Sequence, residues 1–537
     1  MTITPALRDA ALRWIADDPD PDTRTELQRV LAAALAGDAI AAADLTDRMA
    51  GPLRFGTAGL RGPVRAGPNG MNVAVTRRAT AGLAAWLRGI GRAGAPVVVG
   101  RDARRGSDEF ASAAAEVLAG AGFAVRTLPA PLPTPLLAFA VRELDAVAGV
   151  QITASHNPAA DNGYKVYVED GAQLGPPADA EIEAAIAAAP PAVSVPVGVP
   201  IGLADVREAY LDRVARLPRG PGRRLRVALT PLHGVGGETT VLALYHAGFT
   251  DVHVVASQAV PDAAFPTVTF PNPEESGATD ALLELAARVG ADLAVALDPD
   301  ADRCALGVPL PDGSWRMLSG DETGVLLGDH LLRSGGFSGI DGGPLVATTV
   351  VSSSMLGLVA ASYGARFAET LTGFKWIVRA GPGLVYGYEE ALGHCVDPDA
   401  VRDKDGIATA VLACDLAAGL KGAGAGLLDR LDELASAHGV HRTEGLSLRL
   451  APAERDAAVE RLRAEPPAGW AADRPAPDVL VLHRGRDRVV VRPSGTEPKL
   501  KAYLQVVEPV TTDLGAARAV ADDRMAALRR EVVGLLG

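Results

Sequence analysis

EVLAGAGFAVRTLPAP (116–131) reads as the end of a helix, a glycine and a short apolar strand. Gly122 stands where a helix closes in the left-handed conformation that side chains resist. LALYHAGFTDVHVVAS (242–257) and GLVAASYGARFAETLT (357–372) repeat the layout around Gly248 and Gly364. Upstream of each lies another β-like run: APVVVGRDAR (95–104), LRVALTPLHGVGG (225–237) and PLVATTVVSSS (344–354). Strand, loop, helix, glycine and strand form the βαβ unit of a parallel sheet. Three copies, roughly 120 residues apart, predict three related α/β domains.

The flanks read differently. Residues 1–50 form a helical, Ala- and Asp-rich lead-in that carries no visible chemistry. After residue 440 comes AEPPAGWAADRPAP (464–477), then VLVLHRGRDRVVVRPSGTEPKLKAYLQVV (479–507). GRD between two alternating apolar runs reads as a hairpin turn, so the tail is predicted to be a small α+β domain. The predicted boundaries are 1–50 for the lead-in, 51–203, 204–318 and 319–440 for α/β domains I to III, and 441–537 for domain IV.

Composition narrows the class. A chain of 537 residues, 48% hydrophobic and 22% charged, is that of a folded protein with several cores. No apolar run reaches the ~18 residues of a membrane helix. The opening MTITPALRDAALRWIADD lacks the basic and apolar regions of an export signal. A net charge of −13 argues against nucleic acid as the main partner. Cys304, Cys395 and Cys414 are scattered and odd in number, which fits a reducing cytoplasm better than disulfides or zinc. Arginine supplies most cations, and the lysines stand only at Lys165, Lys375, Lys404, Lys421, Lys499 and Lys501. Five of those six fall in the segments considered next.

DPDADR (298–303) follows LAVAL (293–297), an apolar run that reads as a buried strand. Asp298, Asp300 and Asp302 then sit at a strand's carboxyl end, where ligands gather in open α/β sheets. Alternating in an extended turn, three carboxylates converge on one side and repel unless a cation holds them, and hard oxygen donors favour Mg²⁺ or Ca²⁺. The EF-hand pattern fails, because the sixth position is Arg303 and the twelfth is Pro309. A solvated acidic turn is the alternative.

TASHNP (153–158) follows a second apolar run, and Asn157-Pro158 forces a turn that presents Ser155 and His156. Ordinary turn chemistry accounts for the same letters. Lys165 comes shortly after, flanked by aromatic residues whose desolvation lowers a lysine pKa for proton transfer. A surface lysine lying over tyrosines is the other reading. RPSGTEPKLK (492–501) combines Arg492, Ser494, Gly495, Thr496, Lys499 and Lys501, a mixture of donors suited to phosphate. FGTAGLRG (55–62) is a second flexible loop, with Thr57 and Arg61. GYEEALG (387–393) offers Glu389 and Glu390 to sugar hydroxyls or begins a helix. LTGFKWI (371–377) and DKDG (403–406) each add a lysine in a loop-like context.

From about residue 50 to the end, these motifs in this order resemble the α-D-phosphohexomutase superfamily, the phosphoglucomutases, phosphomannomutases and their relatives. The spelling EEALG…DKDG resembles the branch with phosphopentomutase-like and glucose-1,6-bisphosphate-related enzymes. The resemblance implies a four-domain, heart-shaped α/β protein with one loop from each domain lining a central cleft. It implies Ser155 as the phosphorylated serine, one Mg²⁺ held by Asp298, Asp300, Asp302 and the Ser155 oxygen, and Lys165 as the proton-transfer lysine. His156 and Arg61 join the catalytic set by the same resemblance. Arg303, Thr372, Gly373, Glu389, Glu390 and Lys404 are implied to bind the sugar. Arg492, Ser494, Gly495, Thr496, Lys499 and Lys501 are implied to hold the non-reacting phosphate.

The expected activity is interconversion of hexose 1-phosphate and hexose 6-phosphate, glucose or mannose, with hexose 1,6-bisphosphate as intermediate and activator. Phosphopentomutase and glucose-1,6-bisphosphate synthase are the alternatives within the family, and a catalytically silent phosphosugar-binding protein is the alternative outside it. A small phosphosugar is the expected partner, with no nucleic acid or membrane, in a cytoplasmic monomer or homodimer. Many hexose enzymes carry Ser where Ala391 stands, which leaves one hydroxyl contact missing and keeps a pentose phosphate in view. His394 is assigned no role.

Overall fold

The computed structural model describes residues 3–54, 59–337, 339–450, 452–493 and 499–536. It divides into two compact units. The first comprises Met1–Leu217, Arg226–Cys304 and Asp399–Val411, and the second Pro218–Leu225, Ala305–Pro398 and Leu412–Gly537.

The first unit opens with three helices, Pro5–Asp17, Pro21–Leu35 and Ala39–Arg48. Thr4, Asp20 and Asp38 cap them, each accepting from backbone N–H groups of the first turn. Leu27, Leu31 and Leu45 fill a small core between them. The lead-in is therefore a packed element of the fold.

A six-stranded sheet follows, in the order Leu60–Pro63, Asp161–Val168, Ala148–Ile152, Pro96–Arg101, Ala124–Thr127, Gly202–Leu203. Pro96–Arg101 runs parallel to both Ala124–Thr127 and Ala148–Ile152. Asp161–Val168 is antiparallel to Ala148–Ile152, with Lys165 opposite Gln151. The sheet is therefore mixed. Val97, Val98 and Val99 are all buried, the mark of a strand covered on both faces. Ser107–Gly120 is the helix that links the first pair of parallel strands, and Gly122 after it has φ +87°.

The second copy repeats this. Arg226–Thr230 pairs in parallel with Asp251–Val254 and Leu293–Leu297, and Gly248 has φ +92°. In the second unit, Leu345–Thr349 pairs in parallel with Arg366–Thr370 and Leu384–Glu389, and Gly364 has φ +67°. Leu384–Glu389 turns back into the antiparallel strand Gly393–Cys395. The letters GYEEALG thus form a hairpin rather than a helix start. Leu392 takes the left-handed position at φ +64°.

The tail of the second unit is a five-stranded antiparallel sheet ordered Val440–Arg449, Lys499–Glu508, Asp487–Pro493, Val479–Arg484, Ala471–Ala476. Arg484 pairs with Asp487 across the turn that GRD predicted. Pro475 lies in the edge strand where its register slips, the position a residue without an N–H tolerates. The helix Leu514–Leu536 covers one face through Met525, Leu528 and Val532. Among the described residues no single helix is long and apolar enough to cross a membrane.

Candidate active site

Two strand ends of the first unit carry the sequence-predicted chemistry. Ala148–Ile152 runs out into Thr153–Asn157, and Leu293–Leu297 runs out into Asp298–Arg303. The acidic loop is a tight turn with Ala301 at φ +55°, which replaces the extended form expected from alternation. Its three carboxylates converge nonetheless, one oxygen of each lying within 4.8 Å of the others. Ser155 is also left-handed, at φ +54°. Its Oγ donates to Asp298 Oδ2 at 2.9 Å, joining the two loops across 143 residues of sequence.

Ser155, Lys165, Asp298, Asp300 and Asp302 are each 2% exposed or less. Charges so buried must be paired. Lys165 Nζ lies 2.7 Å from Asp300 Oδ2 and 2.9 Å from Asp302 Oδ2. Thr134, which opens the helix Thr134–Glu143, donates through its hydroxyl to Asp300 Oδ2 at 2.5 Å and through its N–H to the Asp300 carbonyl. Lys404 Nζ stands 3.4 Å from Asp302 Oδ2 and 3.2 Å from Asp403 Oδ1. Asp403 in turn accepts from the Tyr167 hydroxyl and from Gln173. The segment carrying Lys404 approaches because Gly406 has no side chain. Its N–H reaches the Ala301 carbonyl at 3.1 Å, and a Cβ there would meet the Ala301 and Arg303 carbonyls.

Burial and its two acidic neighbours hold the Asp298 carboxyl well above the usual range. Burial also pushes Asp300 upward, but Lys165 and the Thr134 hydroxyl outweigh it and hold Asp300 low. Asp302 is likewise lowered, Lys165, Lys404 and Arg303 prevailing over burial and Asp300. For Lys165 the sequence expectation is reversed. Burial pulls its pKa down, yet Asp300 and Asp302 raise it on balance, so the ammonium is held protonated. Burial desolvates the lysine as expected, although Tyr164, its neighbour in the strand, faces the other side of the sheet and bonds Thr80. The acids that decide the outcome come from far along the chain.

His156 Nδ1 lies 3.2 Å from Ser155 Oγ. Burial, with Arg303 and Arg61 nearby, keeps this ring neutral well below its ordinary pKa. Since the serine proton is directed at Asp298, the Nδ1 tautomer that carries a proton donates to Oγ. Arg61, on the strand Leu60–Pro63, donates to Asn157 Oδ1 at 3.3 Å. Phe55–Ala58 of the same motif, with Thr57, lie outside the described residues.

The donor set fits a hard divalent cation. Asp300 Oδ1 and Asp302 Oδ1 are buried without a hydrogen-bond partner among the described residues, and Asp298 Oδ2 adjoins the serine oxygen. All these donors are oxygen, the chemistry Mg²⁺ takes.

The second unit gathers other predicted residues. Glu390, in the hairpin loop, accepts from Ser352 Oγ at 3.0 Å and Thr349 Oγ1 at 3.2 Å. Burial and the charges of Glu389 and Asp321 push its carboxyl up to about 7. Gly320, at the start of the helix Gly320–Ser334, lets that helix meet the hairpin, since a Cβ would run into the Glu390 carbonyl. Arg492 Nη1 donates to Thr372 Oγ1 at 2.7 Å, which brings two predicted residues together beside Gly373. Lys501 stands opposite Arg492 in the sheet, and Lys499 begins the same strand. Ser494, Gly495 and Thr496 lie outside the described residues. His394 is buried, with Nδ1 3.2 Å from the Tyr386 hydroxyl.

Sequence reasoning passed over Arg104, Thr134 and Asp403. Arg104 stands in GRDAR, read above only as the end of a β run, although an acid two residues before an arginine at a strand end is the available signal.

Three stretches match the models of the phosphoglucomutase/phosphomannomutase family, alpha/beta/alpha domains I, II and III, over residues 52–192, 208–310 and 319–436. A Haemophilus influenzae protein named "Probable phosphomannomutase" is 40% identical over 455 residues, covering 81% of this chain and 93% of that one. A Saccharomyces cerevisiae phosphoribomutase is 35% identical over 452 residues, covering 76% and 71%. A phosphoglucomutase/phosphomannomutase family protein from Burkholderia thailandensis has a solved structure with a TM-score of 0.68, covering 88% and 97%. At 20% identity, that last likeness is one of fold.

Proposed function

Since this chain belongs to the phosphoglucomutase/phosphomannomutase family and is a phosphosugar mutase of that type, we propose that Ser155 carries the phosphoryl group between the two ends of one sugar phosphate. The observation that carries this reading is the 2.9 Å contact of Ser155 Oγ with Asp298 inside a buried three-carboxylate cluster.

Phosphorylated Ser155 gives its phosphoryl group to the free hydroxyl of a hexose 1- or 6-phosphate. The P–O bond to serine breaks as the P–O bond to sugar forms, and the product is hexose 1,6-bisphosphate. The bisphosphate turns around and returns its other phosphoryl group to the serine. A resident donor is needed because free phosphate would be lost to water. The proton of the attacking hydroxyl ends on the serine oxygen: Lys165, protonated beside Asp300 and Asp302, gives a proton to the leaving Ser155 oxygen and is reprotonated by the attacking hydroxyl. His156 donates to the serine oxygen through Nδ1. Arg61 and Arg303 supply positive charge to the phosphoryl oxygens. Asp298, Asp300 and Asp302, with the serine oxygen, would hold one Mg²⁺, which when bound would neutralise charge on the transferring oxygens.

Glu389 and Glu390 accept hydrogen bonds from sugar hydroxyls, supported by Thr372, Gly373 and Lys404. Arg492, Ser494, Gly495, Thr496, Lys499 and Lys501 hold the phosphate that is not reacting, and the Arg492–Thr372 bond supports a place for Arg492 beside the sugar-binding residues. Three free, buried cysteines support a reducing compartment.

The hexose reading leans on the relative named a probable phosphomannomutase. A pentose reading has its own observation. Ala391 removes a hydroxyl from the sugar loop, and a relative named phosphoribomutase is 35% identical. Glucose 1-phosphate, mannose 1-phosphate and ribose 1-phosphate, each with Mg²⁺ and a trace of cognate bisphosphate, separate the two. Conversion of a hexose supports the first, and conversion of ribose 1-phosphate alone selects the second. If Ser155→Ala retains full turnover, the phosphoserine role is lost.

A further inference from the structure

Arg104 is buried, its side chain 1% exposed. Its four Nη hydrogens meet four carbonyls of the serine loop and the strand after it. Nη2 donates to Ser155 O and Asn157 O, both at 2.6 Å. Nη1 donates to Pro158 O at 2.8 Å and Asp161 O at 3.2 Å. Asp102 holds the arginine from behind, accepting its N–H at 2.9 Å and facing Nε at 3.5 Å. Asp102 is itself fixed by the Ser107 hydroxyl at 2.6 Å, and Ser107 by Asn162 at 2.9 Å. The Phe265 ring lies 4.9 Å beneath the guanidinium.

One planar fork thus gathers backbone oxygens that would otherwise repel one another. It also sets the direction of a donor. In a trans peptide the C=O and the next N–H point opposite ways. With the Ser155 carbonyl turned to Arg104, the His156 N–H points away from it and donates to no group among the described residues. The Ser155 N–H is already taken by Thr153 Oγ1 at 2.9 Å. Ser155 stays at φ +54°, a conformation unfavourable for a side-chain-bearing residue, so something must hold it.

We propose that Arg104 is a positioning residue that fixes Ser155 for phosphoryl transfer and aims the His156 amide N–H at the phosphoryl oxygens. This rests on Ser155 as the phosphoryl carrier. The amide acts as a preorganised donor where charge gathers on the transferred group. It needs no proton movement, and it serves both halves of the reaction alike.

The test uses the full chain with Arg104→Lys and Arg104→Met. Lysine keeps the charge but cannot span four carbonyls, and methionine removes both charge and fork. Each variant, freed of phosphate, is mixed with glucose 1,6-bisphosphate and Mg²⁺. Transfer to Ser155 is followed by intact mass and peptide mapping, normalised to the occupancy finally reached. The expected result is a rate lower by about 30-fold in both variants, with the same final occupancy and the KM for sugar phosphate changed less than kcat. Wild-type rates in Arg104→Lys would reduce the effect to charge alone and overturn the proposal. It is equally overturned if both variants lose rate only in proportion to folded protein, read from thermal melts. Should the wild-type chain take phosphate elsewhere than Ser155, the carrier reading fails, and this inference falls with it.

Discussion

Lys165 and Asp300 form a buried ion pair, Nζ to Oδ2 at 2.7 Å, and the same ammonium reaches Asp302 at 2.9 Å. One cation therefore compensates two acids on one side of the cluster, while their other oxygens are left for a metal. Lysine and metal share the task of neutralising the loop.

Lys165→Met tests that division. Removing one partner of a buried pair costs about 3–5 kcal/mol, because the remaining charge is uncompensated. Urea unfolding in EDTA is expected to show a loss of this order. Saturating Mg²⁺ should recover much of it, since the cation binds the folded acids. A loss equal in EDTA and Mg²⁺ would contradict the shared role.

Asp300→Asn removes one hard ligand and one charge. Binding of Mg²⁺, or of Mn²⁺ as its spectroscopic substitute, is expected to weaken by at least about 100-fold. EDTA should abolish turnover of the wild-type chain, and added Mg²⁺ should restore it. Titration calorimetry and a coupled assay read the two effects.

His394 gives a signed pH dependence. Burial lowers its folded pKa to about 3 from an ordinary 6.5. The Tyr386 hydroxyl donates to the Gly324 carbonyl, so Nδ1 must donate to Tyr386, and Nε2 has no hydrogen-bond partner among the described residues. Between pH 6.5 and 3 the unfolded chain takes a proton that the native chain refuses. Stability must therefore fall on acidification, at up to about 1.4 kcal/mol per pH unit. His394→Gln is expected to flatten that part of the profile in denaturant titrations at pH 7 and pH 5.

Glu390 behaves in the opposite sense. Its folded pKa stands at about 7 against an ordinary 4.5. Between those values the native chain binds the extra proton, so this residue's contribution to stability falls as pH rises. If its carboxylate accepts sugar hydroxyls, KM should fall as pH rises through 7. Glu390→Gln is expected to remove that dependence while raising KM; an unchanged KM profile would detach Glu390 from the sugar.

Much of this was legible in the sequence, for identifiable reasons. Gly122, Gly248 and Gly364 announce helix ends because few other residues adopt positive φ at low cost. DPDADR could be placed at a strand end because LAVAL is apolar without interruption. What sequence could not supply was partnership at a distance. The aromatic neighbours of Lys165 suggested a lowered pKa, and the carboxylates 135 and 137 residues further along reverse it. Arg104 was invisible as a clamp because its partners are carbonyls, which every residue has. The placement of Lys404 beside Asp302 depends on Gly406, a glycine that carries no motif of its own beyond DKDG.

The return of Asp399–Val411 to the first unit has a consequence for biosynthesis. Tyr167 and Gln173 find Asp403, Tyr210 finds Asp405 at 2.7 Å, and Ala301 finds Gly406 only once that stretch has been translated. A nascent chain halted soon after the aspartate loop would hold its serine and acids without the piece that closes them in. Such a fragment should misbehave as an independent product, and the chain emerging from the ribosome must wait for about a hundred further residues before its first unit is whole.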